Sequence, residues 1–254
     1  MNFERKRDEI RIQDVNLDRE PQSPIDLARE IMGERNVFSS EDAEHYWGIT
    51  LSTEERNALL TIPFSKAELE ECKDTHLLTA VLPLSILQMD ERNKELITEG
   101  KLPPGTELLY DASKSSWYHN EPFAKEKGTA HWALIRKNAV PDSTNKTYKE
   151  QLGLLAGEED VPSAQALIYA ILSRFLETGK RLFPRFSLRT HDLTLQRNRV
   201  LVGYFLADGL TVNAYADSDW YGFVGLASFW KPTGGKLETP IAPTIPPVPI
   251  RRNF

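Results

Sequence analysis

The spacing of apolar and polar positions divides the chain into four stretches. Residues 1–22 are highly charged and show no periodicity, which predicts a flexible arm. From 23 to 74, short apolar groups recur behind helix-start signals. Ser23-Pro24 opens a helix running to about Met32, and Ser40-Glu41-Asp42-Ala43-Glu44 puts a hydroxyl cap ahead of acidic residues. Ser52-Thr53-Glu54-Glu55 and Ser65-Lys66-Ala67-Glu68 repeat that signature, the last as a capping box, so three or four short helices are predicted by residue 74. After Thr75 the apolar runs become short and bounded by turn residues, predicting strands at 75–82, 106–110, 131–137, 186–190, 199–206, 210–215 and 223–230. Asp208-Gly209 between two apolar runs marks a tight hairpin, so the sheet is at least partly antiparallel.

One helix differs from the rest. Behind Pro162, the residues Ala164, Leu167, Ile168, Ile171, Leu172, Phe175 and Leu176 keep helical spacing up to Gly179, and Ala166, Tyr169 and Ala170 make its first half apolar nearly all round. Such a helix packs on more than one face. The final stretch, 232–254, holds Pro232, Pro240, Pro243, Pro246, Pro247 and Pro249, a density that prevents helix and central strand and favours extended chain. Ile241, Ile245, Val248 and Ile250 alternate through it, which suits a strap over the domain or a ligand for an aromatic groove. The expected architecture is α+β: N-terminal short helices packed on a mostly antiparallel sheet with one long buried helix. Its organisation is a flexible arm at 1–22, a helical section at 23–74, a core domain at 75–231 and a proline-rich tail at 232–254.

Composition adds little to this until the charge is split. The 254 residues carry a net charge of -6, but residues 1–80 hold 10 basic against 18 acidic residues, while 81–254 hold 21 against 19. The acidity is N-terminal, and the helix caps explain much of it, because carboxylates gather in first turns. Within the second part, Arg174, Lys180, Arg181, Arg185, Arg189, Arg197 and Arg199 form a basic island opposed only by Glu177 and Asp192. That island reads as an anion site, or as charges paired with the acidic N-terminal part. Cys72 is the single cysteine, which precludes an intramolecular disulfide and fits a reducing cytoplasm. The start of the chain lacks the apolar run of a signal peptide, and no stretch reaches the roughly 20 apolar residues of a membrane span. A cytoplasmic protein with no membrane association is expected.

Chemistry is sparse. No dinucleotide fingerprint, phosphate loop, zinc-protease motif, nucleophile elbow or calcium loop is present. Three constellations remain. An aromatic pocket can be drawn from Trp117, Tyr118, His119, His131 and Trp132, with walls able to stack a base or sugar. An anion site can be drawn from Arg136, Lys137, Lys146, Arg189 and His191, with Lys146 near the start of a helix after the hydroxyl-rich 142–148 loop. His191 beside Asp192 is the candidate acid–base pair, workable only if the chain turns there, because neighbours on a strand face opposite ways. Asp217, Asp219 and Glu158 to Asp160 have turn and helix-end explanations, so neither metal nor cofactor is expected.

The segments Cys72-Lys-Asp-Thr-His, Pro83-Leu-Ser-Ile-Leu, Leu134-Ile-Arg-Lys, Ser143-Thr-Asn-Lys-Thr-Tyr-Lys-Glu-Gln and Arg199-Val-Leu-Val-Gly resemble a group of uncharacterised bacterial proteins. The resemblance covers most of 35–230 and implies a bacterial or bacteriophage setting, but no reaction. It also implies that His131 and His191 lie outside the recurrent pattern, which argues against either as a general catalytic residue. Two functional classes are carried forward. The first is a non-enzymatic binding or interaction protein with a protein partner or self-association. The second is an enzyme or ligand-binding module for a phosphorylated small molecule or single-stranded nucleic acid. Strong non-specific DNA binding is not expected of an acidic chain.

Overall fold

The computed structural model describes residues 23–110 and 116–238, and the arm at 1–22 and the tail beyond 238 lie outside them. The helical section is built as its caps dictate. The helices α1 (Pro24–Met32), α2 (Ser40–Trp47), α3 (Thr53–Leu59) and α4 (Lys66–Cys72) each start on a capping box, with Ser23, Ser39, Ser52 and Ser65 answered by Asp26, Asp42, Glu55 and Glu68. In α2 the cap is Ser39 rather than Ser40, because only Ser39 has its reciprocal carboxylate three residues on. The short β1 (Val37–Phe38) lies between α1 and α2, and β2 (His76–Val81) follows α4, every one of its residues buried. Next comes α5 (Ile86–Thr98), capped by Ser85 and Gln88, which the apolar pattern did not announce.

Beyond it are a 3-10 turn at Trp117–Asn120, α6 (Pro122–Lys125), β3 (His131–Arg136), α7 (Tyr148–Leu152), β4 (Glu159–Asp160) and α8 (Ala164–Thr178). The last strands are β5 (Ser187–Leu193), β6 (Arg199–Leu206), β7 (Gly209–Tyr215), β8 (Val224–Leu226) and β9 (Phe229–Trp230). The fold is α+β with mainly antiparallel pairing. α8 is the expected buried helix, closed by Gly179 in the left-handed conformation. Its Ser173 hydroxyl accepts from Trp47 Nε1 at 2.9 Å, which ties α2 to it, and one core cluster runs from Leu27 to Leu237 through both the helical section and the sheets.

The strands form two sheets rather than one. The first has the order β1-β2-β3-β9-β4 and the second β7-β6-β5-β8. The apolar run at 223–230 is the reason, since it is not a single strand. β8 pairs parallel with β5 in the second sheet; the chain then steps through Ala227 and Ser228, and β9 inserts between β3 and β4 in the first. The 106–110 segment contributes a single parallel bridge, Leu109 to Leu210. The hairpin turn is Ala207-Asp208, and Gly209 opens β7 at φ +115° with the Leu109–Tyr110 backbone so close that a Cβ would lie 2.5 Å from it. Among the described residues no helix is long and apolar enough to cross a membrane.

Candidate functional site

A cleft of about 600 Å³ opens at the edge of β3. Ala58 of α3, with Thr61 and Pro63 after that helix, borders it on one side, and Asp160-Val161-Pro162-Ser163 leading into α8 border it on another. Phe229 and Pro232 close one end and His191 of β5 stands at the rim. Consecutive β3 residues of both parities, His131 to Ala133, line it, so the cleft lies along the side of the strand rather than over one face.

The ladder explains why a cleft exists there. Arg136 N–H donates to Ser228 O on the β9 side, and Lys137 N–H donates to Thr75 O on the β2 side. Backbone groups alternate in this way along an antiparallel strand, so Trp132 also turns its N–H and C=O toward β9. The last β9 pair, however, is Leu134 with Trp230; the residue opposite Trp132 in that register is Pro232, which has no N–H to give. The ladder stops, and no described backbone group accepts from Trp132 N–H. The Trp132 side chain is fixed separately, with Nε1 donating to Leu59 O at 3.0 Å.

The polar equipment of the cleft is small and acidic. His131 Nδ1 lies 2.7 Å from Thr129 O; a carbonyl only accepts, so Nδ1 carries the proton and Nε2 keeps a lone pair in the neutral ring. His191 and Asp192 are brought together by the register shift in β5 between Arg189 and Leu193, with Nε2 and Oδ1 3.6 Å apart. Asp192 is otherwise engaged: its Oδ2 accepts from Ala164 N–H at 2.5 Å, and Ser163 Oγ accepts from Ala166 N–H, so the positive end of α8 already faces an anion. Asp160 Oδ1 accepts from Val161 N–H at 2.8 Å. No Lys or Arg is among the described residues lining the cleft.

The cations expected to share an anion cleft do not converge. Arg136 is bound to Glu159, with Nε and Nη2 at 2.9 and 2.6 Å from Oε1, and Ser228 Oγ is 3.2 Å from Nε. Burial works to raise the Glu159 carboxyl, but His76, Arg136 and Ser228 outweigh it and bring the group down to about 2. Glu159 is thus the buried partner of an arginine, not a carboxylate drawn to the helix start; Asp192 fills that role. Lys137 turns the other way, to Asn36 Oδ1 at 3.4 Å and Lys73 O at 3.5 Å. Arg189 is fully buried; it donates to Lys146 O at 3.0 Å, Gln151 Oε1 at 2.9 Å and Asp219 O at 2.6 Å. Lys146 therefore meets Arg189 through its carbonyl, and only His191 of the five reaches the cleft.

The aromatic set also divides. Trp117, Tyr118 and His119 lie on the 3-10 turn, where the Trp117 ring packs on Tyr118 and Phe123 and its Nε1 donates to Val212 O at 3.1 Å. His131 and Trp132 belong to the cleft instead. The basic island is largely consumed within its own half of the chain rather than by the acidic N-terminal part. Arg199 forms a paired contact with Asp217 at 2.9 and 2.8 Å, Arg181 lies over Phe175, and Arg174 pairs with Glu177, although it also reaches Arg35 O. Thr61, Pro63, Pro162 and Phe229 carry no motif, and nothing in the sequence joins them to His131, Trp132 and His191 in one cleft. The only signal was Pro232 directly after an apolar run, a strand-stop that leaves a neighbouring edge unpaired. No family model, curated protein or solved structure matches this chain.

Proposed function

We propose that the protein is a binding protein whose cleft takes an extended, apolar, proline-containing peptide segment along the free edge of β3. One observation carries this reading: the β9 ladder ends at the Leu134–Trp230 pair, with Pro232 opposite Trp132, so no described backbone group pairs with the Trp132 N–H and C=O beside an apolar cleft. Strand addition at an open edge obtains affinity from main-chain hydrogen bonds and specificity from the flanking pockets. Pro63, Ala133, Val161, Pro162 and Phe229 supply apolar walls, and a proline-rich segment loses little entropy on binding because its φ angles are already set. Among the described residues lining the cleft there is no Lys or Arg, which argues against a phosphorylated ligand there. His131, hydrogen-bonded to Thr129 O, and His191, beside Asp192, do not by themselves assemble a nucleophile, base and oxyanion donor, so binding is favoured over catalysis.

The test is a titration of the full chain with a fluorescein-labelled decapeptide of alternating Ile and Pro, read by anisotropy. Ala58 is exposed on the rim, so Ala58→Trp blocks the cleft without entering the core. Saturable binding that weakens by about tenfold or more in the variant, a loss of about 1.4 kcal/mol, is the expected result. Equal binding by both proteins overturns the reading.

A further inference from the structure

We infer that the occupant of the cleft is the chain's own proline-rich segment, residues 239–254, bound in cis. This rests on the reading of the cleft as a peptide groove and names its ligand. The path of the chain points there. It leaves the cleft at Pro232, crosses the start of α4, where Thr233 donates to Glu68 Oε1 at 2.8 Å, and is pinned at Leu237, whose N–H donates to Ile62 O at 3.1 Å. Ile62 stands between Thr61 and Pro63, both of which line the cleft, so the segment departs from the rim itself. Leu237 is buried, and Gly235 passes so close to Ser65 that a Cβ would lie 2.9 Å from its Cβ, which fixes the point of departure.

Length, composition and charge all suit the groove. Extended chain advances about 3.1 Å per residue, so the eight residues from Leu237 to Ile245 reach about 25 Å, enough to traverse a cleft of this size that begins at their anchor. Ile241, Ile245, Val248 and Ile250 supply apolar side chains among prolines that pre-set the extended form. Arg251 and Arg252 follow, opposite in sign to the Asp160 of a cleft with no cation among its described lining residues. A short tether also gives an effective concentration in the millimolar range, so the segment of the same chain outcompetes that of a second copy. In this arrangement the tail is a built-in competitor that any external peptide has to displace.

The experiment is disulfide trapping in the full chain with Ala58→Cys and Ile245→Cys. Cys72 is buried with its thiol pushed up to about 12 by burial, so it stays silent. The control pairs Ile245→Cys with Lys180→Cys, an exposed position past the far end of α8, about 22 Å along that helix from the cleft. The expected result is a monomeric, internally bridged protein that forms at least about tenfold faster than the control, the ratio set by effective concentration. Disulfide-linked dimers would overturn the inference in favour of a second copy, and equal rates for the two pairs would overturn it outright. In those cases the introduced thiol at position 58 is probed with maleimide. Protection by the Ile/Pro decapeptide shows that the groove stands and only its occupant was wrong, whereas no protection removes both.

Discussion

Arg136 and Arg189 are each held inside a sheet, Arg136 in the first and Arg189 in the second, and their surroundings have opposite character. Arg136 meets a carboxylate: Glu159 accepts two of its hydrogen bonds, Ser228 Oγ donates to the same Glu159 oxygen, and His76 Nε2 stands 3.7 Å from it. Arg189 instead donates to the carbonyl oxygens of Lys146, Asp219 and the Gln151 amide, with Asp217 and Asp219 acting on it only through space, and the Asp217 carboxylate goes to Arg199. A buried cation can thus be neutralised by a countercharge or surrounded by dipoles. The carboxylate that titrates is in direct contact with Arg136 and only at a distance from Arg189, so pH bears more strongly on the first sheet.

The largest effect is expected from Glu159→Gln, which leaves the partly buried Arg136 without its countercharge and costs about 3 kcal/mol in denaturant unfolding. Replacing both partners, as Arg136→Met with Glu159→Leu, recovers most of that loss. If the double variant is as unstable as the single one, the charge pair is not the source of the cost. Arg189→Met comes next, at about 2–3 kcal/mol, because carbonyls at Lys146 and Asp219 lose their donor in the interior.

The pH dependence sharpens the contrast. The Glu159 carboxyl falls from its usual 4.5 to about 2, so its contribution is complete above about 4.5 and lost as pH falls toward about 2. The slope over that window approaches about 1.4 kcal/mol per pH unit, survives in Arg189→Met and vanishes in Glu159→Gln. Glu177 has the reverse sign: burial raises it to about 7 despite Arg174, so the native state keeps a proton that the unfolded chain has released. Stability therefore declines as pH rises from about 4.5 to 7, and Glu177→Gln makes that limb shallower in urea titrations, the remainder coming from Asp90, which burial raises to about 6. The smallest effect is expected from Ser228→Ala, about 1 kcal/mol, since Arg136 and Glu159 keep each other when the hydroxyl goes.

Legibility in the sequence followed locality. Helix-start signals at Ser23, Ser52 and Ser65, the last read as a capping box, together with the α8 stripe and the β6–β7 hairpin, are contained within a few residues, and each appears in the fold. α5 was missed because its apolar residues are few and its polar ones many, although Ser85 and Gln88 form a capping box of the same kind. The division into two sheets was not legible, since Phe223 to Trp230 reads as one apolar run and only pairing partners distant in the sequence break it at Ala227-Ser228. Charge was misleading for the same reason. Arg136, Arg189 and Arg199 look free in the sequence, and each finds its partners far along the chain or across a strand. The candidate site was half legible: His131, Trp132 and His191 were singled out, but in separate constellations, and β3, β5 and the entrance to α8 bring them to one cleft.

The insertion of β9 between β3 and β4 also sets an order of events during synthesis. β4 pairs only with β9, so when the ribosome has delivered residue 160 the strand has no neighbour, and Glu159 waits beside an unfinished sheet until Trp230 emerges. Everything between, including α8 and the β5–β6–β7 meander, is made first and can assemble from contacts nearer in sequence. The first sheet is therefore completed by a two-residue strand that emerges about 70 residues after β4, a closure whose long loop slows it and leaves the β3 edge exposed to the wrong partner in the interval. A nascent chain arrested before Phe229 would present that edge to any passing strand.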